Sequence, residues 1–238
     1  MKQTKLLYPF LLFLYYSTNA QNSFDSSFTK AVSIYTNTLN TNIHLYNGSE
    51  YIDYDHRIKG NPLYQSLSYV PGSIIYDGTY YGNVEMFYDI LHDDVIIKNY
   101  NDTALLLVKE KVSSFDILNH HFIQLHFDSS EKHIESNVFY DVLCNGNAKL
   151  FAKRRKEIVE KIVLQVSESY YNETDTYFIY NRNNFYAVKN KASVLDALRD
   201  KKTELVKFMH QSKIKFRQDP ETSMIKMVTY YNTLNSGK

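Results

Sequence analysis

The sequence predicts an α+β protein, mostly antiparallel β. It should form a curved sheet or half-barrel with a short N-terminal helix and a three-helix segment at the C-terminal end. Three observations lead there. From Asn42 to about Lys189, short apolar runs of period two alternate with turn residues, the pattern of strands that follow one another directly. No long helical pattern separates them, so they pair antiparallel and need no crossover connections. Beyond residue 190 the apolar spacing changes to three and four, the period of a helix face. With 238 residues, 44% hydrophobic and 15% aromatic, the chain has enough apolar material for a packed core. Its single Cys excludes a disulfide scaffold, a Cys-rich zinc module and an iron–sulfur cluster.

The first 20 residues read as a signal peptide. Lys2 and Lys5 precede the apolar run Leu6 to Tyr16, and Thr18 and Ala20 supply small residues ahead of Gln21, the layout of a secretory leader. The apolar run is shorter than the roughly 20 residues that span a bilayer, so no transmembrane segment is expected in the mature chain. The expected address is periplasmic or extracellular, after cleavage near Ala20. In residues 21–41, Phe24, Phe28, Val32, Tyr35 and Leu39 mark one face of a short amphipathic helix with Asp25 near its cap.

The β domain is expected over residues 42–190. Ser73-Ile-Ile-Tyr76, Asp77-Gly78 and Thr79-Tyr-Tyr81 form a hairpin signal, because Asp-Gly suits the left-handed backbone of a type I′ turn. Val84 to Leu91, Asp94 to Lys98, Ala104 to Lys109, Ser113 to Leu118, His121 to Phe127 and Val138 to Cys144 follow as strands. Asn145-Gly146 turns the chain into Lys149-Leu150-Phe151, and a last hairpin folds around Arg182-Asn183-Asn184. The stretch 152–166 suits helix or strand and is read as extended. The helical segment, 191–238, opens with Ser193 and Asp196 spaced as a capping box. Asp219-Pro220-Glu221 then starts a helix with a cap, a Pro at its first position and an acid near its positive end.

These residues also carry a resemblance. Leu45-Tyr46-Asn47-Gly48, Glu50-Tyr51, Gly72 to Gly78, Lys153-Arg154-Arg155-Lys156 and the tail from Lys189 through Lys215-Phe216-Arg217 to Tyr230-Tyr231 recur in this order in a family of exported proteins. The chain resembles those proteins, which are common in Bacteroidota-type bacteria and have no activity attached to them. The resemblance implies an envelope address and carries no residue roles.

Charge is divided along the chain. Residues 21–148 hold 7 basic and 16 acidic residues, and residues 149–217 hold 16 basic and 8 acidic. The basic segment could meet an anionic partner such as envelope lipid or surface polysaccharide, or the two segments could simply face each other. The run Lys153, Arg154, Arg155 and Lys156 is its densest basic patch. It lacks interleaved aromatics, so nucleic acid is not expected as a partner.

Candidate sites are few. The chain has 22 Tyr and no Trp; Tyr46, Tyr51, Tyr54, Tyr76 and Tyr80 are the weak candidates for an aromatic ligand platform. The competing reading is that they pack on half-buried sheet faces. His120 and His126 would share a strand face about 20 Å apart, too far to hold one ion. Asp53, Asp55 and His56 read as a solvated turn tied to Arg57 and Lys59. Cys144 reads as packing. No catalytic residue, metal or cofactor is assigned. The sequence therefore predicts an exported non-catalytic cell-envelope protein that binds an apolar or polymeric ligand or a protein partner. A lipid shuttle with a cavity beneath its helices would be one version. The alternatives are a periplasmic hydrolase and a structural subunit of an envelope assembly.

Overall fold

In a computed structural model, residues 45–125, 134–163 and 165–235 are described. The leader, the helix expected over 21–41 and His126 lie outside them. The Asp77-Gly78 turn has φ of 51° and 74°, as type I′ geometry requires, and joins β2 (Val70–Tyr76) to β3 (Thr79–Asp89). β3 does not break at Gly82-Asn83. The pairing slips there, with Gly72 opposite Val84 and Ser73 opposite Gly82, so Asn83, at φ 54°, is the extra residue of a bulge.

The chain continues through β4 (Asp94–Lys98), β5 (Ala104–Leu106), β6 (Val112–Ile117), β7 (His120–Gln124), β8 (Phe139–Cys144) and β9 (Lys149–Lys153). An inserted hairpin, β10 (Lys156–Val163) and β11 (Val166–Glu173), precedes β12 (Thr176–Asn181) and β13 (Asn184–Val188). Residues 156–163 are thus extended, and their partner strand β11 had no clear signal in the sequence. With β1 (Ser49–Glu50), the described residues make one eleven-stranded sheet in the order β1-β5-β4-β3-β2-β6-β7-β8-β9-β12-β13, while β10 and β11 form a separate two-stranded sheet that Lys59 joins through a parallel bridge to Tyr170. Every strand pair is antiparallel. β1 and β13 are the two edges, and the sheet does not close into a barrel.

The open sheet curls strongly. β3 and β8 stand four places apart in the order, roughly 19 Å in a flat sheet. Yet the rings of Tyr88 on β3 and Phe139 on β8 lie 6.0 Å apart. Tyr88 also meets Phe115 and Phe122 edge-on at 5.1 and 5.0 Å, and those two stack at 4.8 Å. Side chains of β2 to β8 therefore fill one aromatic core inside the curl.

A second core lies under the helices α1 (Lys191–Ala197), α2 (Lys202–Gln211) and α3 (Pro220–Asn235). Leu150, Ile179 and Val188 from the sheet pack there against Leu198, Leu205, Met224, Met227 and Val228. The helices cover this face with these buried apolar side chains. α1 starts earlier than expected: Asn190 caps it, and Ser193 closes the box as the third helical residue. α3 starts as the sequence predicts, with Asp219 Oδ1 accepting from the Thr222 N–H at 3.0 Å. A single cross-strand row links the two cores: Ile74, Phe115, Phe122, Asp141, Ala152, Tyr177 and Val188 face one another in turn.

The turn after β3 fastens the curl. Asp93 accepts from the Tyr88 hydroxyl at 2.5 Å and from the Phe139 N–H at 3.3 Å, and Lys109 Nζ stands 3.4 Å away. Burial pushes the Asp93 carboxyl up to about 6, against the pull of the Tyr88 hydrogen bond and Lys109. The folded protein thus holds this proton more tightly than the unfolded chain. Its favourable contribution is complete below the ordinary carboxyl range and is lost as pH rises from about 4 to about 6, on the order of 3 kcal/mol. Asp93→Asn removes this loss. Its stability relative to the parent, from urea unfolding across that range, should climb as pH rises.

Candidate functional site

The basic run 153–156 does not form a surface patch. Each residue goes its own way because the chain turns there from β9 into the inserted hairpin. Lys153 pairs with Glu135 at 2.5 Å, Arg155 is exposed, and Lys156 Nζ donates to the Leu63 carbonyl at 2.6 Å. Arg154 turns inward and is only 6% exposed. Its Nη2 and Nε donate to Asp141 Oδ2 at 2.7 and 3.0 Å. Nη1 donates to Asp175 at 2.5 Å and to Glu221 at 2.6 Å.

His120 Nδ1 lies 2.8 Å from the same Asp141 oxygen, and the Tyr177 hydroxyl donates to Glu221 at 2.9 Å. The guanidinium also faces the Tyr64 ring, so a cation–π contact adds to the ion pairs. Burial alone would weaken the Arg154 charge, but its hydrogen bonds to Glu221, Asp141 and Asp175 hold the guanidinium firmly protonated. The Asp175 charge, by contrast, is disfavoured: burial raises its carboxyl, only partly offset by Arg154. A guanidinium occupies the centre of this acid cluster. Among the described residues no group of three His, Cys, Asp or Glu side chains is placed to hold a metal ion.

The candidate tyrosines scatter. Tyr76 is buried in the aromatic core, so its ring is structural. Tyr46 packs on the margin of that core and against Tyr100. Tyr51 donates to buried Asp89 at 3.0 Å and leans on Phe87. Tyr54 meets Tyr171 and His56, and Tyr80 is 66% exposed. Asp55 and Arg57 pair on the open surface, as the sequence predicts, but Lys59 reaches Glu168 on the inserted hairpin. His56 meets Asp53 at 3.2 Å, also in the open. Cys144 is half-buried against Thr229 and Asn232 of α3.

Ser73, Asp116 and His121 come together without being foreseen. The Ser73 hydroxyl donates to Asp116 at 2.7 Å, and His121 Nδ1 meets the other oxygen of that carboxylate at 2.7 Å. The carboxylate stands between hydroxyl and imidazole. A Ser-His-Asp triad needs the imidazole in that middle place.

Among the described residues, a cavity of about 790 Å³ lies beside the helices. It is bounded by α1, α2 and the connection 212–219. Leu195, Met209, Ile214 and Phe216 give it an apolar lining, and Lys191, Lys202, Lys215 and Arg217 stand around it with one acid, Asp196. The connection owes its shape to the end of α2. Ile214 N–H donates to the Met209 carbonyl and Lys213 N–H to the His210 carbonyl, with Lys213 at φ 51°. This is the Schellman closure, and it brings Ile214 back over Met209 on the cavity wall. Lys202 approaches Asp196 at 3.7 Å. Among the described residues no carboxylate pairs with Lys191, Lys215 or Arg217.

Comparison with protein-family models, with curated proteins and with solved structures returns no match. The geometry of the chain itself has to carry any reading of its function.

The Arg154 cluster makes a sharp forecast. Arg154→Met keeps the volume but leaves Asp141, Asp175 and Glu221 without their cation. It should cost about 3–5 kcal/mol at pH 7, the penalty of stranding buried charge. The deficit should shrink as pH falls, because the Asp175 carboxyl, already raised by burial, loses the offset from Arg154 and takes up a proton more readily in the folded variant. Urea unfolding of both proteins at pH 7 and at lower pH measures this.

Proposed function

We propose that this is an exported, non-catalytic cell-envelope protein that binds a ligand in the cavity between α1, α2 and the 212–219 connection. The observation that carries the reading is the cavity: its volume falls in the range of small-molecule sites, and an apolar lining with a few placed charges is the composition such sites have. The scaffold supports it. The curled sheet, read as a half-barrel, has its helical face filled by Leu198, Met224, Met227 and Val228, so the ligand sits beside the helices and not beneath them. A ligand held there would lie away from where a lipid shuttle with plugging helices would hold its cargo.

The export reading rests on the leader-like sequence of residues 1–20. Among the described residues, no helix is long and apolar enough to cross a membrane. The binding reading is favoured over hydrolysis because Asp53 and Asp55 sit on open surface and Ser73 has a carboxylate, not an imidazole, beside its hydroxyl.

Two measurements test these statements separately. A neutral polarity-sensitive dye, N-phenyl-1-naphthylamine, should bind the purified mature chain with a blue-shifted emission. Ala192→Trp, an exposed lining position, should abolish that signal while changing unfolding stability by less than about 0.5 kcal/mol. A dye signal that Ala192→Trp leaves intact would remove the cavity from the proposal. Expression of the full chain in an exporting bacterial host should yield a periplasmic or released protein whose N-terminal residue is Gln21; an intact Met1 in the cytoplasmic fraction would overturn the address.

A further inference from the structure

We infer that the cavity is selective for a single-chain amphiphile with a negatively charged head, of the long-chain carboxylate class. This rests on the cavity being a ligand site and adds which ligand chemistry it takes. Two halves of the cavity call for two halves of a molecule. Leu195 and Met209 are buried residues with a wall turned to the cavity, and Ile214 and Phe216 are half-buried beside them; a hydrocarbon chain laid on them leaves water at about 0.8 kcal/mol per methylene.

Around that lining stand four cations and one carboxylate. Asp196 is already near Lys202, and among the described residues no carboxylate pairs with Lys191, Lys215 or Arg217, so these three present positive charge at the cavity. All three are exposed. An anionic head would therefore stay at the wet mouth, attracted to the cations without a desolvation cost of the kind that burying an ion pair carries. A cationic head of the same chain length would meet like charge at that place. A compact anion such as phosphate would have no use for the apolar lining. A duplex or single-stranded nucleic acid would need stacking aromatics along a groove, and Phe216 is the one aromatic of this lining.

The division of charge along the sequence acquires a location here. Residues 149–217 carry 16 basic and 8 acidic residues. Arg154 spends its charge on the internal acid cluster, whereas Lys191, Lys215 and Arg217 leave theirs at the cavity.

Isothermal titration of the mature chain with four probes tests the inference: laurate, dodecanol and dodecyltrimethylammonium, all below micelle formation, and acetate. Laurate should bind near 1:1 and at least tenfold more tightly than dodecyltrimethylammonium, with acetate showing no heat. Myristate should bind roughly tenfold more tightly than laurate, the increment of two methylenes. The double variant Lys215→Glu with Arg217→Glu, both on exposed positions, should erase the preference for laurate over dodecyltrimethylammonium and leave dodecanol binding unchanged.

Equal affinity for the three twelve-carbon probes would overturn the anion selectivity while the cavity remained a ligand site. Acetate binding as tightly as laurate would overturn the amphiphile class. No binding of any twelve-carbon probe, or laurate binding that Ala192→Trp does not reduce, would overturn both this inference and the reading it rests on.

Discussion

Four chain segments far apart in sequence meet at one guanidinium. Asp141 comes from the middle of β8, Arg154 from just past the end of β9, Asp175 from the return of the inserted hairpin and Glu221 from the first turn of α3. The cluster lies on the cross-strand row where the aromatic core gives way to the helix-covered core, and Asp141 is the row's one charged member. Placing a carboxylate there would be costly in isolation. With Arg154 bound to it, the same carboxylate orients the sheet, the hairpin base and the last helix relative to one another. Hydrophobic packing on either side supplies stability without direction; the ion cluster supplies direction. Buried ionic groups of this kind have their best-attested use in fixing register.

Most of the strand and turn architecture was legible because it is local. Asp77-Gly78 and the pair Arg182-Asn183, both at left-handed φ, announce their hairpins through backbone chemistry confined to two residues. Asp219-Pro220 announces a helix for the same reason. A curved sheet was expected, but its register and the side chains that the curl brings together were not legible. That β2 pairs with both β3 and β6, or that Tyr88 reaches Phe139, depends on contacts between segments separated by tens of residues.

The candidate site failed to show itself for a related reason. Arg154 sits among three other cations in sequence, and nothing local says that one of the four turns inward to three acids. The face carrying His120, Phe122 and Gln124 looks polar on paper, yet Phe122 is among the most buried residues because the curl packs its ring against Phe115 and Tyr88. The cavity lining, Leu195 and Met209, reads as an ordinary helical stripe. Only the folding back of Ile214 and Phe216, set by a left-handed Lys213, turns that stripe into a wall.

The hairpin β10–β11 stands apart from the large sheet, and its two ends are tied together where Thr174 N–H donates to the Arg155 carbonyl at 2.8 Å. The hairpin is also tied to Lys59 at Glu168, Ser169 and Tyr171, but at its base it imposes no spacing on β9 and β12, which pair directly with each other. Its length is thereby uncoupled from the core, since the entropy of a closed loop grows only with the logarithm of the residues it contains. The distal part of this hairpin is a place where the chain can be lengthened, shortened or exchanged for foreign sequence with both cores unchanged.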